Sequence, residues 1–431
     1  VRLANPDYSS LLPIARSPID ERVAQITTLA ADVPSRSVRL SLDAKLQARV
    51  ATATRVAASK SKLGVAAIAV LDATTGEVLA RAQWPDFDPG GTAWEPLRAA
   101  GEQKFMGIYG AWSDKTGAHG VYQAGSVFKP LTALVAVRDG VVSAELTPGE
   151  CAVEATPSFR CVDVTEGRTS FTLPGWKQPV HDYSDGGARG DVDLVEAITQ
   201  SSNVYFAQLA LKLGPESYRR LRTDGVEFGN SGLLAEKDGP YTGIGEGGSR
   251  RLAQTGFGQG AGSWSVLQAA RVIGAIANGG NYLRCPSTME QGGECLRTPL
   301  LPPGASLEPI LAGMQGVMET GTGARLPKIK GVRIYGKTGT ADAPGTRDEA
   351  PWGIRAGKAT NPHSWFVAIA EAESAPACAA GGTRYVVASV VPHGGFGSAA
   401  AGPLAIEAIR ALQAESYLPT PPPEPTPAAA P

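Results

Sequence analysis

Long apolar runs are scarce in this chain of 431 residues. The longest, Val65 to Leu71, is the length of a buried strand and falls far short of the roughly 20 residues a membrane helix needs. No secretory leader is visible. The chain opens on Val1 rather than Met, so it reads as processed or truncated, and a membrane association would have to come from an N-terminal anchor missing from it. An excess of charge is lacking too: 40 Lys and Arg stand against 41 Asp and Glu. That balance gives no electrostatic case for nucleic acid or for an anionic membrane surface. Histidine is rare, at positions 119, 181, 363 and 393, and none has an acidic or cysteine partner at ligand spacing. No metal site is expected, and no cofactor.

Cysteine is also sparse, with five residues and no C-x-x-C pattern. Cys151/Cys161 and Cys285/Cys295 form two pairs of identical short spacing. They read as two local disulfides, hence an oxidising, extracytoplasmic setting; the other reading is reduced, buried thiols. Cys378 is left over.

What is present is enough for a folded core: 43% hydrophobic and 19% charged residues. With 52 Gly and 33 Pro, turns are frequent. Val38 to Leu42 alternates like a strand. Asp43 can cap a helix bearing Leu46, Val50 and Ala53. Leu63 to Asp72 and Glu77 to Gln83 form a hairpin around Thr74-Thr75-Gly76. An apolar helix runs from Ser126 to about Arg138, with Pro130 tolerated in its first turn. Residues 140 to 190 are irregular. Asp191 caps a further helix, and another follows Ser201-Ser202-Asn203. Helices are expected over Ser263–Asn278, stopped by Gly279-Gly280, and over Glu308–Glu319. Strands return at Val332–Ala341, Ser364–Glu371 and Tyr385–Val391, before a last helix over about Ala399–Glu415. Sheet segments at both ends with helices between them indicate an α+β fold: an antiparallel sheet flanked by helices, plus an inserted, mostly helical lobe. The divisions read as an N-terminal extension with lead-in strand and helix (1–60), a main domain (61–417, its helical lobe about 126–325) and a Pro-rich tail (418–431). A cleft between sheet and lobe is the natural ligand site.

Three short motifs carry chemistry. Ser126-Val127-Phe128-Lys129 sets hydroxyl and amine one helical turn apart. A serine hydroxyl needs an adjacent base, and a lysine serves if burial or a nearby cation keeps it neutral. A serine at a helix head also offers its own N–H to a developing oxyanion. In Ser201-Ser202-Asn203, a second hydroxyl can relay a proton, and a carboxamide can hold a substrate amide. In Lys337-Thr338-Gly339-Thr340, strand alternation puts Thr338 and Thr340 on one face, where they can hold a carboxylate. Gly339 leaves room for a ligand backbone, and Lys337 supplies charge. Each motif alone is weak. Ser59 to Lys62 also fits S-x-x-K, and Lys115-Thr116-Gly117 is a second K-T-G. Only 126, 201 and 337 stand in the order S-x-x-K, S-x-N, K-T-G, with the last on a strand after the helical block.

On these residues the chain resembles the transpeptidase domain of penicillin-binding proteins, of the serine D,D-transpeptidase and β-lactamase superfamily. The resemblance extends to Ala124-Gly125 and Pro130 around the first motif. It takes in Gly256-Phe257-Gly258-Gln259-Gly260, the run from Leu267 to Gly280, Gly321-Thr322-Gly323 and His363-Ser364-Trp365-Phe366, and covers about residues 38 to 415. It implies that Ser126 attacks a D-Ala-D-Ala carbonyl with Lys129 as base, while Ser201 passes the proton with Lys337. The N–H groups of Ser126 and Thr340 would form the oxyanion hole. Asn203 would hold the donor peptide, with Thr338, Gly339 and Thr340 at its terminal carboxylate. The implied ligands are peptidoglycan stem peptides and β-lactam antibiotics. The implied protein partners are a glycosyltransferase or cell-division or elongation proteins. The location implied is the periplasm or the outer face of the cytoplasmic membrane. Rival readings are a D,D-carboxypeptidase, which passes the acyl group to water, and a β-lactam sensor or scaffold domain without turnover. A Glu-x-x-Leu-Asn signature of the hydrolytic β-lactamases is not found.

Overall fold

A computed structural model of the chain describes residues 40–61, 64–84, 112–113, 117–118, 122–145, 154–161, 163–165, 167–183, 189–226, 247–285, 295–342, 362–378 and 382–420. Helix α1 (Ala44–Ser59) begins where Asp43 accepts hydrogen bonds from Lys45 N and Leu46 N. Its buried stripe is Leu46, Val50, Thr54 and Ala58, three to four residues apart. Strands β1 (Ala66–Asp72) and β2 (Val78–Trp84) make the expected hairpin. The carboxylate of Asp72 holds its turn by accepting from Thr74 N and Thr75 N. Strands β3 (Val332–Ala341), β4 (His363–Ala372) and β5 (Tyr385–Val391) complete one five-stranded sheet of order β3-β4-β5-β1-β2. Every pairing in it is antiparallel.

Both faces of this sheet are covered, which is why its strands read as continuous apolar runs rather than alternating ones. Ala66, Ile68 and Val70 share one buried cluster with α1 and with α8 (Ala401–Ala414). Ala67, Ala69 and Leu71 belong to the other cluster, shared with the helical lobe. That lobe holds α2 (Lys129–Arg138), α3 (Leu194–Thr199), α4 (Asn203–Thr223), α5 (Gly248–Gly256), α6 (Val266–Ala277) and α7 (Glu308–Glu319). Helix α7 joins lobe to sheet. Its Gly313 and Gly316 lie against Ile198 and Thr199 of α3, and Met318 fills the space over Gly336 of β3.

Three boundaries differ from the sequence reading. Residues 40–42 are not in a strand. At the other two a backbone pairing takes precedence. Asp191 lies in a short strand, Gly190–Val192, paired with Phe159–Cys161, so the cap of α3 is Asp193, two residues on. Ser263–Trp264 pairs with Tyr122–Gln123, so α6 starts at Val266, behind a capping box of Ser265 and Gln268. The cysteines also need correction. Cys285 and Cys295 are bonded, with S–S 1.98 Å, but Cys161 is a free, buried thiol and makes no bridge to Cys151. Cys378, read as left over, is disulfide-bonded. Cys151 itself, Lys115, Thr116 and the tail beyond residue 420 lie outside the described residues.

Candidate active site

The Ser126 segment is built before its helix begins. Gly125–Phe128 is one turn of 3₁₀ helix, and α2 takes over at Lys129. The turn is tied down from three sides. Ala124 N donates to Gly262 O (2.9 Å), Gly125 N donates to Gly258 O (2.8 Å), and Trp365 Nε1 donates to Gln123 O (3.0 Å). Gly125 has φ +55° and lies so close to β3 that a Cβ would stand 2.7 Å from Thr340 O. Only glycine fits both the dihedral and the contact. The backbone of Ser126 is thereby placed beside that of Thr340, and the Ser126 hydroxyl, half-buried, has no hydrogen bond among the described residues.

Lys129, one turn on, is fully buried. Its Nζ donates to Ser201 O (2.6 Å), Ser201 Oγ (3.1 Å) and Asn203 Oδ1 (2.9 Å). Lys337, on β3, is equally buried, and its Nζ donates to the same Ser201 Oγ (2.8 Å). Two amines from opposite sides of the cleft thus converge on one hydroxyl. Burial lowers both their pKa values, Lys337 to about 7. Lys129 is pushed well below the ordinary lysine range, first by burial and next by the like charge of Lys337. A neutral lysine has a lone pair free to take a proton, which an ordinary ammonium lacks.

Ser201 sits between α3 and α4 with φ +59°, a left-handed conformation uncommon outside glycine. Asn203 opens α4; besides accepting from Lys129, its Nδ2 donates to His181 O (2.9 Å). On β3, Lys337 and Gly339 face the lobe. A Cβ on Gly339 would meet Val127 Cγ1 at 2.8 Å and Trp365 Cβ at 2.9 Å. The space at Gly339 is therefore filled by Val127 of the Ser126 segment and by Trp365, not left for a ligand backbone as the sequence reading has it. Thr338 Oγ1 lies 2.5 Å from Thr322 Oγ1, in the Gly-Thr-Gly turn after α7. Thr340 Oγ1 accepts from Gly397 N at 3.4 Å. The structure thus joins residues 129, 201, 203 and 337 in one hydrogen-bonded network where sheet meets lobe, with Gly125, next to Ser126, against Thr340, and Thr338 held by Thr322. Ser59, by contrast, ends α1 with its hydroxyl bonded to Val56 O.

Asp182 carries no signal in the sequence reading, and Arg189 enters it only as the end of a glycine-bearing turn, Asp185 to Arg189, near the expected cleft. Asp182 lies beneath the Ser201-Ser202-Asn203 turn, accepting from Ser202 Oγ (3.1 Å) and Val204 N (2.9 Å) and pairing with Arg189 Nε (2.9 Å). No short-range pattern in sequence links a carboxylate to a turn twenty positions later. His363 and His393 pack edge to face, centroids 4.7 Å apart, at the end of the sheet. Tyr335 donates to Glu371 (2.6 Å), and Trp264 packs on Phe128. Among the described residues no cluster of His, Cys, Asp or Glu suits a metal ion, and no helix is long and apolar enough to cross a membrane.

A five-stranded antiparallel sheet with a serine, two lysines and a second serine converging against a helical lobe defines a serine acyl-transfer fold. Residues 66–410 match the family model of the penicillin binding protein transpeptidase domain, and the chain belongs to that family. Penicillin-binding protein 3 of Bacillus subtilis is 26% identical over 328 residues, covering 70% of this chain and 42% of that protein. PbpB of Mycolicibacterium smegmatis is 29% identical over 329 residues, 72% of this chain and 45% of the relative. The chain spans about half the length of such curated relatives. Among solved structures, the imipenem acyl-enzyme complex of penicillin-binding protein A from M. tuberculosis superposes with TM-score 0.63 at 22% identity, over 92% of this chain and 84% of that one. Pseudomonas aeruginosa PBP2 in complex with WCK 5153 gives 0.65 at 22% identity, over 89% and 77%. At that identity the likeness establishes the fold.

Proposed function

We propose that this chain is a penicillin-binding serine D,D-transpeptidase that cross-links peptidoglycan through an acyl-enzyme at Ser126. The observation that carries this reading is the Lys129–Ser201–Lys337 network of depressed-pKa amines beside the Ser126 turn. Neutral Lys129 takes the proton of Ser126 Oγ as that oxygen attacks the carbonyl of the penultimate D-Ala. The backbone N–H groups of Ser126 and Thr340, set side by side through Gly125, receive the developing oxyanion. The C–N bond to the terminal D-Ala then breaks. Its nitrogen takes a proton from Ser201 Oγ, which is resupplied by the lysines. The amine of a second stem peptide attacks the ester, gives up its proton by the same route, and releases Ser126. Asn203 holds the donor peptide, and Thr338 and Thr340 hold the terminal carboxylate, beside the backbone of Gly339.

The domain is taken as residues 61–417, with α1 packed on its sheet. The Cys285–Cys295 disulfide supports a site of action outside the cytoplasmic membrane. A glycosyltransferase is the protein partner this reading favours; a neighbouring fold comes from a peptidoglycan synthase complex. Intact-mass analysis after penicillin treatment tests the nucleophile. The parent gains one penicillin mass and Ser126→Ala gains none; an undiminished gain in the variant would remove the assignment. Incubation with a D-Ala-D-Ala peptide and a D-amino acid tests the acceptor. The exchange product is expected, and hydrolysis alone would favour the carboxypeptidase.

A further inference from the structure

We propose that Asp182 and Arg189 form a positioning pair for acylation: Asp182 clamps the Ser201-Ser202-Asn203 turn under the two lysines, and Arg189 screens that carboxylate from Lys129. The inference rests on the reading of Ser126 as nucleophile and Lys129 as base.

The clamp is visible bond by bond. The Asp182 side chain is buried, at 1% exposure. Its Oδ1 receives Ser202 Oγ (3.1 Å) and Val204 N (2.9 Å), while Ser202 Oγ in turn receives Tyr205 N (3.0 Å). The neighbouring His181 carbonyl receives Asn203 Nδ2 (2.9 Å). Residues 202, 203 and 204 are therefore all held from the His181-Asp182 dipeptide. Ser201, immediately before them, sits at φ +59°. A non-glycine residue persists there only where its surroundings over-determine it. Its position matters because its Oγ is where both amines meet.

A carboxylate beneath the turn to which Lys129 is bonded carries a hazard. Alone, it would favour the ammonium form and remove the base. The groups facing Lys129 are Lys337 from β3, the Ser201 carbonyl and the Asn203 carboxamide at the head of α4, the Phe206 ring (5.7 Å), Asp182 and Arg189. Asp182 raises the Lys129 pKa; Arg189 lowers it. Among the described residues, other titratable groups near the pair include His181, the chain neighbour of Asp182, Cys161, whose thiol burial pushes up to about 12, and Glu196 on α3, raised chiefly by burial. A neutral turn-holder would need no cation beside it. The Arg189 guanidinium, 15% exposed and bonded to Asp182 Oδ2 at 2.9 Å, supplies one.

The test is the second-order rate of acylation by a fluorescent penicillin, measured across pH on the whole chain and its variants. Arg189→Gln should move the acidic limb to higher pH, and Asp182→Asn to lower pH, by roughly one unit each. The double variant should return it towards the parent. Asn keeps an acceptor for Ser202 and Val204, so Asp182→Asn should retain more of the maximal rate than Asp182→Ala, which should lose at least about tenfold. Coincident limbs in all four proteins would overturn the screening role. An unreduced rate in Asp182→Ala would overturn the clamp. If Asp182→Ala does not fold, the two charge variants still decide the first point, and a maximal rate in Asp182→Asn below a tenth of the parent's would sink the clamp. Failure of the underlying reading looks different: the parent is not acylated, or Ser126→Ala is.

Discussion

The Ser201 hydroxyl is hydrogen-bonded to both site lysines, whereas the Ser126 hydroxyl has no hydrogen bond among the described residues. The former accepts from Lys129 at 3.1 Å and from Lys337 at 2.8 Å, leaving its own proton to donate. Lys337 depresses Lys129 by like charge, so its removal has a predictable sign. In Lys337→Met the Lys129 pKa rises, and the acidic limb of acylation moves to higher pH, while the maximal rate falls by about 10²-fold. Stopped-flow acylation across pH reads both; a limb that stays in place or moves to lower pH would contradict the coupling. At this scale the sequence was informative about identity and poor about surroundings. Residues 126, 129, 201, 203 and 337 could be picked because their motifs are short and ordered. Asp182 could not, because what makes it matter is a hydrogen bond to Ser202, and nothing local encodes that contact. Gly339 shows the same divide: its smallness was legible, but the neighbour it makes room for, Val127, was not.

At the scale of elements, the Ser126 turn is held by the Gly256–Gly262 segment rather than by its own helix. Gly258 has φ +84°, and a Cβ there would stand 1.9 Å from Gly125 O. Gly258→Ala must therefore push the Ser126 turn away from Thr340 or break the Gly125–Gly258 hydrogen bond. The expected cost is about 2–4 kcal/mol of stability, with acylation slower by at least about a hundredfold. Gly274 gives the control. It lies inside α6, and a Cβ added there would meet nothing within 4 Å, so Gly274→Ala should stabilise by about 0.5–1 kcal/mol and leave acylation unchanged. Urea melts and acylation rates on both variants separate the two; equal effects would mean that the close approach at Gly258 is not what matters. Long periodic elements such as α7 and β3 were legible to the residue. The start of α6 and the cap of α3 were not. There, short strands pair with segments distant in sequence, and such pairings leave no trace in local periodicity.

For the molecule as a whole, the active site and the fold make opposing demands. Burying Lys129 and Lys337 with no carboxylate among the described residues bonded to either amine favours their neutral forms. For Lys337 the sign follows from linkage. Its pKa is 10.5 when exposed and about 7 in the fold, so between those values the unfolded chain binds more protons and stability rises with pH. The penalty is fully present below pH 7 and gone above the unfolded value. A displacement of that size corresponds to on the order of 4 kcal/mol, a large share of the roughly 5–15 kcal/mol of a typical fold. Met matches the lysine stem in volume and carries no charge. Lys337→Met gives up hydrogen bonds to Ser201 Oγ and Thr338 O, each worth about 1 kcal/mol. Net stabilisation of about 2 kcal/mol is therefore expected near neutral pH, falling through zero to a loss approaching about 2 kcal/mol as the pH passes the pKa of free lysine. Thermal or urea unfolding of parent and variant along a pH series measures this difference. A variant less stable than the parent at neutral pH, or a gain that grows with pH, would show that Lys337 is held as a charged structural cation and not as a group kept near neutrality for proton transfer.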